Sequence, residues 1–175
     1  MSTALYTFTI PLLRRGLSIL SSYMDKASAY AEARGIDPAT LVGARLAQNM
    51  LPLSGQVQRA SDKATNGVAR LTGAIAPVFE DTESTLEELE AGIAKTLTFL
   101  DAVTPVQFEG TENRTIELRF RSVSGTMNGH TYLTKFLLPD VYFHIATAHG
   151  LLRHSGLQIG KADYVGTIDR TPPVA

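Results

Sequence analysis

Hydrophobic residues recur at helical spacing along most of the 175-residue chain. Across residues 8–33, one half of a helical wheel is apolar and the other half carries arginine, serine and aspartate, which predicts a long amphipathic helix. Gly35 is expected to end this helix, and Asp37 followed by Pro38 is expected to open the next, as a capping residue and a first-turn proline do. The chain therefore begins with one long helix that has a broad apolar face.

A second helical pattern covers residues 38–71. Pro52 interrupts it, and we expect a break near Leu51 because proline lacks a backbone donor and clashes with the preceding turn. The part after the proline has a narrow apolar stripe with several small side chains, which indicates close contact with a neighbouring helix. The stripe consists of Leu53, Val57, Ala60, Ala64, Val68 and Leu71.

The third helix has a clear start signal in the run Ser84-Thr85-Leu86-Glu87, which matches the capping-box pattern. Its apolar stripe repeats like a heptad, as in helical bundles. Thr104-Pro105 is expected to end it. The stripe consists of Leu86, Leu89, Ile93, Leu97 and Leu100.

The chain changes character at residues 107–129. Residues 114–121 alternate between polar and apolar, and turn-forming residues follow, so a short β-hairpin or an extended crossover is predicted.

A last helical region covers residues 130–154 with an expected break at Pro139. Its apolar residues surround almost the whole wheel, which predicts a buried central helix. The tail from residue 157 onward is predicted to be irregular.

Composition narrows the class of protein. Hydrophobic residues make up 44% and charged residues 19% of the chain, so one globular domain over residues 1–175 is expected. A net charge of -1 argues against a nucleic-acid partner, and the lack of cysteine excludes thiol catalysis and cysteine-ligated metals. No arginine or lysine precedes Arg14 and no long apolar run follows, so we expect a cytoplasmic protein without a signal peptide or a membrane partner.

The histidines offer the first candidate chemistry. His144, His149 and His154 lie on the last helix but point in three directions, so they cannot bind one metal together. Asp140 and His144 are four residues apart and share a face, as two ligands of a metal do. The alternative is that Asp140 caps the helix after Pro139 and His144 is a hydrogen-bonded core residue.

Gln56 is the second unusual residue, because it lies at the edge of the stripe on the second helix. A glutamine at the edge of a core is usually hydrogen-bonded to a neighbouring backbone or side-chain group. It is also a candidate pocket residue. Asp140, one turn earlier on the same helix, and Gln56, on the facing helix, are the nearest polar partners that the spacing offers to His144. We therefore expect the three side chains to lie together around a cavity.

Three blocks of sequence carry a resemblance to a known family. They are Arg45-Leu46 with Met50-Leu-Pro-Leu53, Gln56-Val-Gln58 and Asp62; then Tyr132-Leu133, Phe136 and Leu138-Pro139; then Phe143-His144, Thr147-Ala148, Leu152-Arg153-His154, Gly156 and Gly160-Lys161. Together they resemble an uncharacterised bacterial family of unknown function within the DinB/YfiT-like superfamily of metalloenzymes.

The resemblance implies an all-α, DinB-like four-helix bundle, often homodimeric, with a short β-hairpin or extended insertion before the last helix. It also implies a divalent metal, nickel or zinc, held by one histidine of the second helix and an H-x-x-x-H pair of the fourth. Some superfamily members are transferases or isomerases that use mycothiol or bacillithiol. Matching Leu152-Arg153 to the family pattern places the histidine pair on Asp140 and His144, and the second-helix histidine near Gln56.

Three functions follow from these residues. The first is a metal-dependent transferase or hydrolase with a degenerate metal site formed by Asp140, His144 and Gln56. The second is a metal-free protein that binds a small molecule in a pocket formed by Gln56, His144 and His149. The third is a structural or stress-related homodimer without a small-molecule site. A homodimer is expected in any case, from the resemblance and from the width of the apolar face on the first helix.

Overall fold

The computed structural model describes residues 3–119 and 124–166. Helix α1 spans Thr3–Arg34 and the short helix α2 spans Pro38–Val42. Gly35 has a φ of 61°, a left-handed conformation that suits the end of a helix. The Asp37 carboxylate accepts a hydrogen bond of 2.9 Å from the amide of Ala39. The end of the first helix and the cap of the second are therefore as predicted, while α1 begins earlier than residue 8.

Helix α3 spans Leu53–Thr72, so the break before it is wider than predicted. Residues 43–52 are not helical, because α2 ends at Gly43 and the chain turns before Pro52. Pro52 is the N-cap of α3, a position where its missing amide proton costs nothing. The predicted stripe of α3 is confirmed, since each of its six residues is at most 2% exposed.

Helix α4 spans Leu86–Asp101 and begins one residue later than the predicted cap. Thr85, not Ser84, accepts a hydrogen bond of 3.1 Å from the amide of Glu88. In the reciprocal hydrogen bond, the Glu88 carboxylate accepts from the amide of Thr85, also at 3.1 Å. Backbone and side-chain hydrogen bonds from Ser84, together with the one from Thr85, lower the pKa of Glu88. The sequence matches the box in both registers, and the structure uses the second.

Strands β1, Thr115–Arg119, and β2, Ser124–Asn128, pair antiparallel as the predicted hairpin. Ile116 and Leu118 are buried, and Thr115, Glu117 and Arg119 are exposed, which is the alternation that the sequence predicts. The last two residues of the predicted strand, 120 and 121, lie outside the described residues. The 3₁₀ turns Pro105–Phe108 and Thr111–Asn113 connect α4 to the hairpin.

The last helical region has no break at Pro139. Helix α5, Gly129–Tyr132, continues through a π-helical turn, Leu133–Leu137, into helix α6, Leu138–His154. The wider π-helical turn lies directly before Pro139. It lets the helix continue although proline has no amide proton to donate. Helix α6 is also less buried than predicted, because Phe143 is 57% exposed.

The tail predicted to be irregular from residue 157 contains a further helix, α7, Lys161–Val165. The Asp163 carboxylate accepts a hydrogen bond of 2.7 Å from the amide of Gly160, which satisfies a donor at the start of the helix. Lys26 forms an ion pair with Asp163, so α7 is attached to α1. Residues 167–175, the end of the predicted tail, are not among the described residues.

Four helices form the bundle: α1, α3, α4 and α6. Both α1 and α3 pack against α4 and against α6, so the four helices occupy the corners of a square. The predicted all-α bundle with a hairpin before the last helix is confirmed. No helix in the described ranges has the length and apolar character needed to cross a membrane.

Candidate functional site

Gln56 on α3 and His144 on α6 are in direct contact across the bundle. Nδ1 of His144 is 2.8 Å from Oε1 of Gln56. The side-chain nitrogen of Gln56 donates to the carbonyl of Leu51 at 3.1 Å, in the irregular segment before α3. Gln56 is 2% exposed and His144 is 8% exposed. The backbone of the irregular segment therefore fixes which end of the amide faces the imidazole.

This contact decides where His144 carries its proton. An amide oxygen only accepts hydrogen bonds, so the proton lies on Nδ1. In the neutral ring, Nε2 is then an acceptor with a free lone pair. Nε2 is 3.5 Å from Oδ1 of Asp140, which is longer than an ordinary hydrogen bond. The ring can therefore be neutral with Nε2 available, or doubly protonated and facing a carboxylate.

Asp140 has a second partner, which the sequence analysis missed. Its Oδ2 is 2.8 Å from Nζ of Lys63 on α3. Burial raises the pKa of Asp140, but the neighbouring His144 imidazole and the Lys63 ammonium group outweigh burial and bring the pKa below its usual value. The sequence feature that could have identified Lys63 as a neighbour of this site is its position seven residues after Gln56, two turns along the same face of a helix. A lysine on an amphipathic helix is usually solvated, so that spacing did not stand out.

These residues do not fit the nickel or zinc centre that the resemblance implies. One imidazole, one carboxylate and one amide replace three imidazoles, and an amide is a poor ligand for these metals. Nδ1 of His144 and Oδ2 of Asp140 are already bound to Gln56 and Lys63. Within residues 3–119 and 124–166, no three histidine, aspartate or glutamate side chains are arranged to hold a metal ion. The ammonium group of Lys63 is paired with the Asp140 carboxylate that a metal would need.

His149 lies in a different environment, although it is on the same helix. Its Nδ1 is 2.7 Å from the hydroxyl of Tyr23 on α1, and its ring packs edge-on against Tyr164 of α7 at 5.8 Å. The structure brings Gln56, His144 and Asp140 together but places His149 with residues of α1 and α7.

His144 lies near the edge of the helical bundle rather than in a deep cavity. Phe143 is exposed and its ring packs edge-on against His144 at 5.3 Å. The side chains of Asp140 and Lys63 are 23% and 28% exposed, so a ligand can reach them from outside. Four clefts of about 300–450 Å³ on the described part of the chain are lined by other residues. The cavity expected around His144 is not among them.

Comparison with known proteins places this arrangement in context. The model of a family described as "Domain of unknown function (DUF1993)" matches residues 5–165. Among solved structures, a DinB family member protein from Shewanella denitrificans, determined at 1.83 Å, has 37% sequence identity and a TM-score of 0.92. The match covers 98% of this chain and 97% of that one. No curated protein matches this chain.

Proposed function

The chain belongs to the DUF1993 family of the DinB-like superfamily, and within that family we propose that it is a metal-independent protein that binds a small organic molecule at His144. The observation that carries the proposal is the hydrogen bond of 2.8 Å between His144 and Gln56. It uses one ring nitrogen inside the protein and leaves Nε2 as the atom for a ligand.

The chemistry of the site favours a ligand with a hydrogen-bond donor. Nε2 of the neutral His144 ring is an acceptor, and so is the nearby Oδ1 of Asp140. The 3.5 Å between them is too long for a good hydrogen bond, so neither atom is strongly engaged by the other. An amine or hydroxyl group that donates to either atom improves on this contact. The exposed ring of Phe143 offers an apolar surface beside it.

The metal-dependent transferase or hydrolase is the less favoured function. It requires Lys63 to leave Asp140, and it requires the Gln56 amide to exchange a hydrogen bond for a weak metal contact. The homodimer without a small-molecule site is less favoured as well. A buried polar group costs free energy unless it is well paired, and the 3.5 Å between Nε2 of His144 and Oδ1 of Asp140 leaves that pairing weak.

Metal analysis tests the first part of the proposal. The chain is purified without an affinity tag and without metal resins, dialysed against excess zinc or nickel and then against buffer, and measured by mass spectrometry of the elements. We expect far less than one equivalent of metal per chain. A positive control is the double variant Gln56→His with Asp140→His, which supplies three imidazoles and is expected to retain zinc. About one equivalent in the unaltered chain, lost in His144→Ala, overturns the proposal.

Nuclear magnetic resonance of the imidazole nitrogens tests the second part. Benzylamine, ethanolamine and benzyl alcohol are titrated while the ring signals of His144 are followed. We expect one of these probes to shift the Nε2 signal of His144, and we expect the shift to disappear in Asp140→Asn. If all three leave His144 unchanged while the protein stays folded, the proposed ligand class is wrong.

A further inference from the structure

A separate cleft of about 300 Å³ lies where α7 packs beside α6, away from the His144 site. Ala146, His149 and Arg153 contribute one wall from a single face of α6, at spacings of three and four residues. Lys161 and Tyr164 contribute the other wall from α7. Three of these five residues carry, or can carry, a positive charge.

The positive charge of this cleft is not balanced by nearby acids. Arg153 and Lys161 form no ion pair with any acidic side chain in the part of the chain that the structure describes. Asp163 is the neighbouring acid, but its carboxylate is held by Lys26 of α1 and by the amide of Gly160. The cleft therefore combines a guanidinium and an ammonium group that are not paired with a carboxylate in the described part of the chain.

His149 is held so that it adds a donor to the same cleft. The Tyr23 side chain is fully buried, and burial, then the charges of Asp163 and Tyr164, raise its pKa, so the phenol keeps its proton. When this hydroxyl donates to Nδ1 at 2.7 Å, the neutral imidazole carries its own proton on Nε2. The Tyr164 ring, edge-on to His149, fixes the plane of the imidazole. His149 thus presents an N–H group, or a full charge when protonated.

We propose that this cleft binds a small organic anion, with its carboxylate or phosphate group on Arg153, Lys161 and His149, and its apolar body against Ala146 and Tyr164. The donor set matches an anionic head group, because guanidinium, ammonium and imidazole groups form charge-assisted hydrogen bonds with carboxylates and phosphates. A cleft of this volume has room for a ligand about the size of one aromatic ring with its head group.

Anion binding at this cleft is linked to proton uptake. Burial and the charge of Arg153 lower the pKa of His149, and Asp163 offsets them only in part. The other groups that face the ring are the neutral phenols of Tyr23 and Tyr164. Lys161 lines the same cleft, and Lys26 is paired with Asp163. A bound anion counters the charge of Arg153 and raises the pKa of His149. The anion therefore binds more tightly as the pH falls through the range in which His149 titrates.

The test is a titration of the full-length chain with benzoate, phenyl phosphate and inorganic phosphate, followed by the ring signals of His149. We expect benzoate or phenyl phosphate to bind with a dissociation constant of about 1 mM or below, and inorganic phosphate to bind more weakly because it lacks the apolar body. The double variant Arg153→Gln with Lys161→Gln should bind at least about tenfold more weakly. Both side chains are exposed, so the variant is expected to fold.

Two controls make the result decisive. Lys135→Gln removes one exposed lysine from another part of the surface and should leave the affinity unchanged. His149→Gln, followed by the backbone amide signals of α6 and α7, should abolish the pH dependence of binding, whereas His144→Gln should leave it intact. If none of the three probes shifts the His149 signals at about 10 mM, the cleft does not bind anions. If Lys135→Gln weakens binding as much as the double variant, the attraction is diffuse and the proposal is wrong.

Discussion

At Asp140, burial and neighbouring charges act on the carboxyl group in opposite directions. It contacts Lys63 through one oxygen and faces His144 with the other. Its pKa in the folded chain is below the usual value of about 3.9. A carboxyl group with a lowered pKa stabilises the fold above its unfolded pKa, and this contribution is lost as the pH falls through the folded pKa.

Asp140→Asn should therefore lower the free energy of unfolding at pH 7 by about 1 kcal/mol, the usual size for a partly exposed charge pair. The deficit should shrink as the pH falls below about 4, where the parent carboxyl is protonated too. Urea denaturation followed by circular dichroism at several pH values measures this difference. A deficit that is the same at pH 7 and at about pH 3 would contradict the assignment.

Asp62→Asn is a matched control for this measurement. Asp62 lies on α3 beside Lys63 and pairs with Arg59 at 3.1 Å. Burial, and then the charge of Asp81, raise its pKa, so the charged form is the one that the fold disfavours. The sign is opposite to that of Asp140: the variant should gain stability relative to the parent as the pH rises above about 4.

Spacing identified part of this site before the structure. Asp140 and His144 followed from their separation of four residues, and Gln56 from its place at the edge of a stripe. Lys63 and Tyr23 did not, because their partners lie 77 and 126 residues away in sequence. Such contacts depend on which helices become neighbours, and local periodicity does not encode that. Whether any of these residues binds a ligand stays a prediction.

At the scale of elements, α3 and the π-helical turn approach each other closely. A Cβ atom at Gly67 would lie 2.3 Å from the Cδ1 atom of Leu137. Both residues are buried, and α3 also packs against α6 just beyond the turn. The absence of a side chain at Gly67 thus lets the wide turn lie directly against α3.

Gly67→Ala should lower the free energy of unfolding by about 1–3 kcal/mol, because an added methyl group in a packed core forces its neighbours to move. Gly92→Ala on α4 is the control. A Cβ atom there would meet only Oε1 of Glu83 at 3.7 Å, an ordinary contact. That change should be neutral or stabilising by up to about 1 kcal/mol, since alanine favours helix. Thermal and urea unfolding of both variants should differ in sign; equal effects would refute the close approach.

Most elements could be predicted because their signals are local. The capping residues, the stripe of α3 and the alternation of β1 each lie within a few residues of the structure that they specify. Pro139 was predicted wrongly for the opposite reason. A proline usually ends a helix, but here a π-helical turn, held by its packing against α3, accepts it. Tertiary packing decided that turn, and the sequence around Pro139 carries no sign of it.

At the scale of the whole molecule, the apolar face of α1 needs a new interpretation. Its width suggested a second chain, but α4 and α6 cover it within one chain. Its central residues are at most 1% exposed: Leu13, Leu17, Leu20, Tyr23, Met24 and Ala27. The expectation of a homodimer now rests on the resemblance and on apolar side chains that remain exposed elsewhere.

Those exposed side chains suggest how a dimer can be tested. Phe143 is 57% exposed on α6. Leu46, in the segment between α2 and α3, is also exposed and lies beside Gly150, which is two turns after Phe143 on α6. We expect sedimentation to show a dimer at micromolar concentration, and Phe143→Ser to shift it toward monomer. Phe8→Ser removes an equally exposed ring from α1 and should have no effect. A monomer in all three samples would end the expectation.

The contact between Leu51 and Gln56 has a dynamic consequence for His144. The Leu51 carbonyl lies in an irregular surface segment, and its hydrogen bond holds the nitrogen end of the amide away from the imidazole. Each time residues 43–52 open locally, the amide is free to turn over and offer its NH₂ group to Nδ1. The ring proton must then move to Nε2, which leaves the free lone pair on Nδ1, the nitrogen that faces Gln56. The tautomer of a buried ring is therefore coupled, through one amide, to the conformation of a loop on the surface.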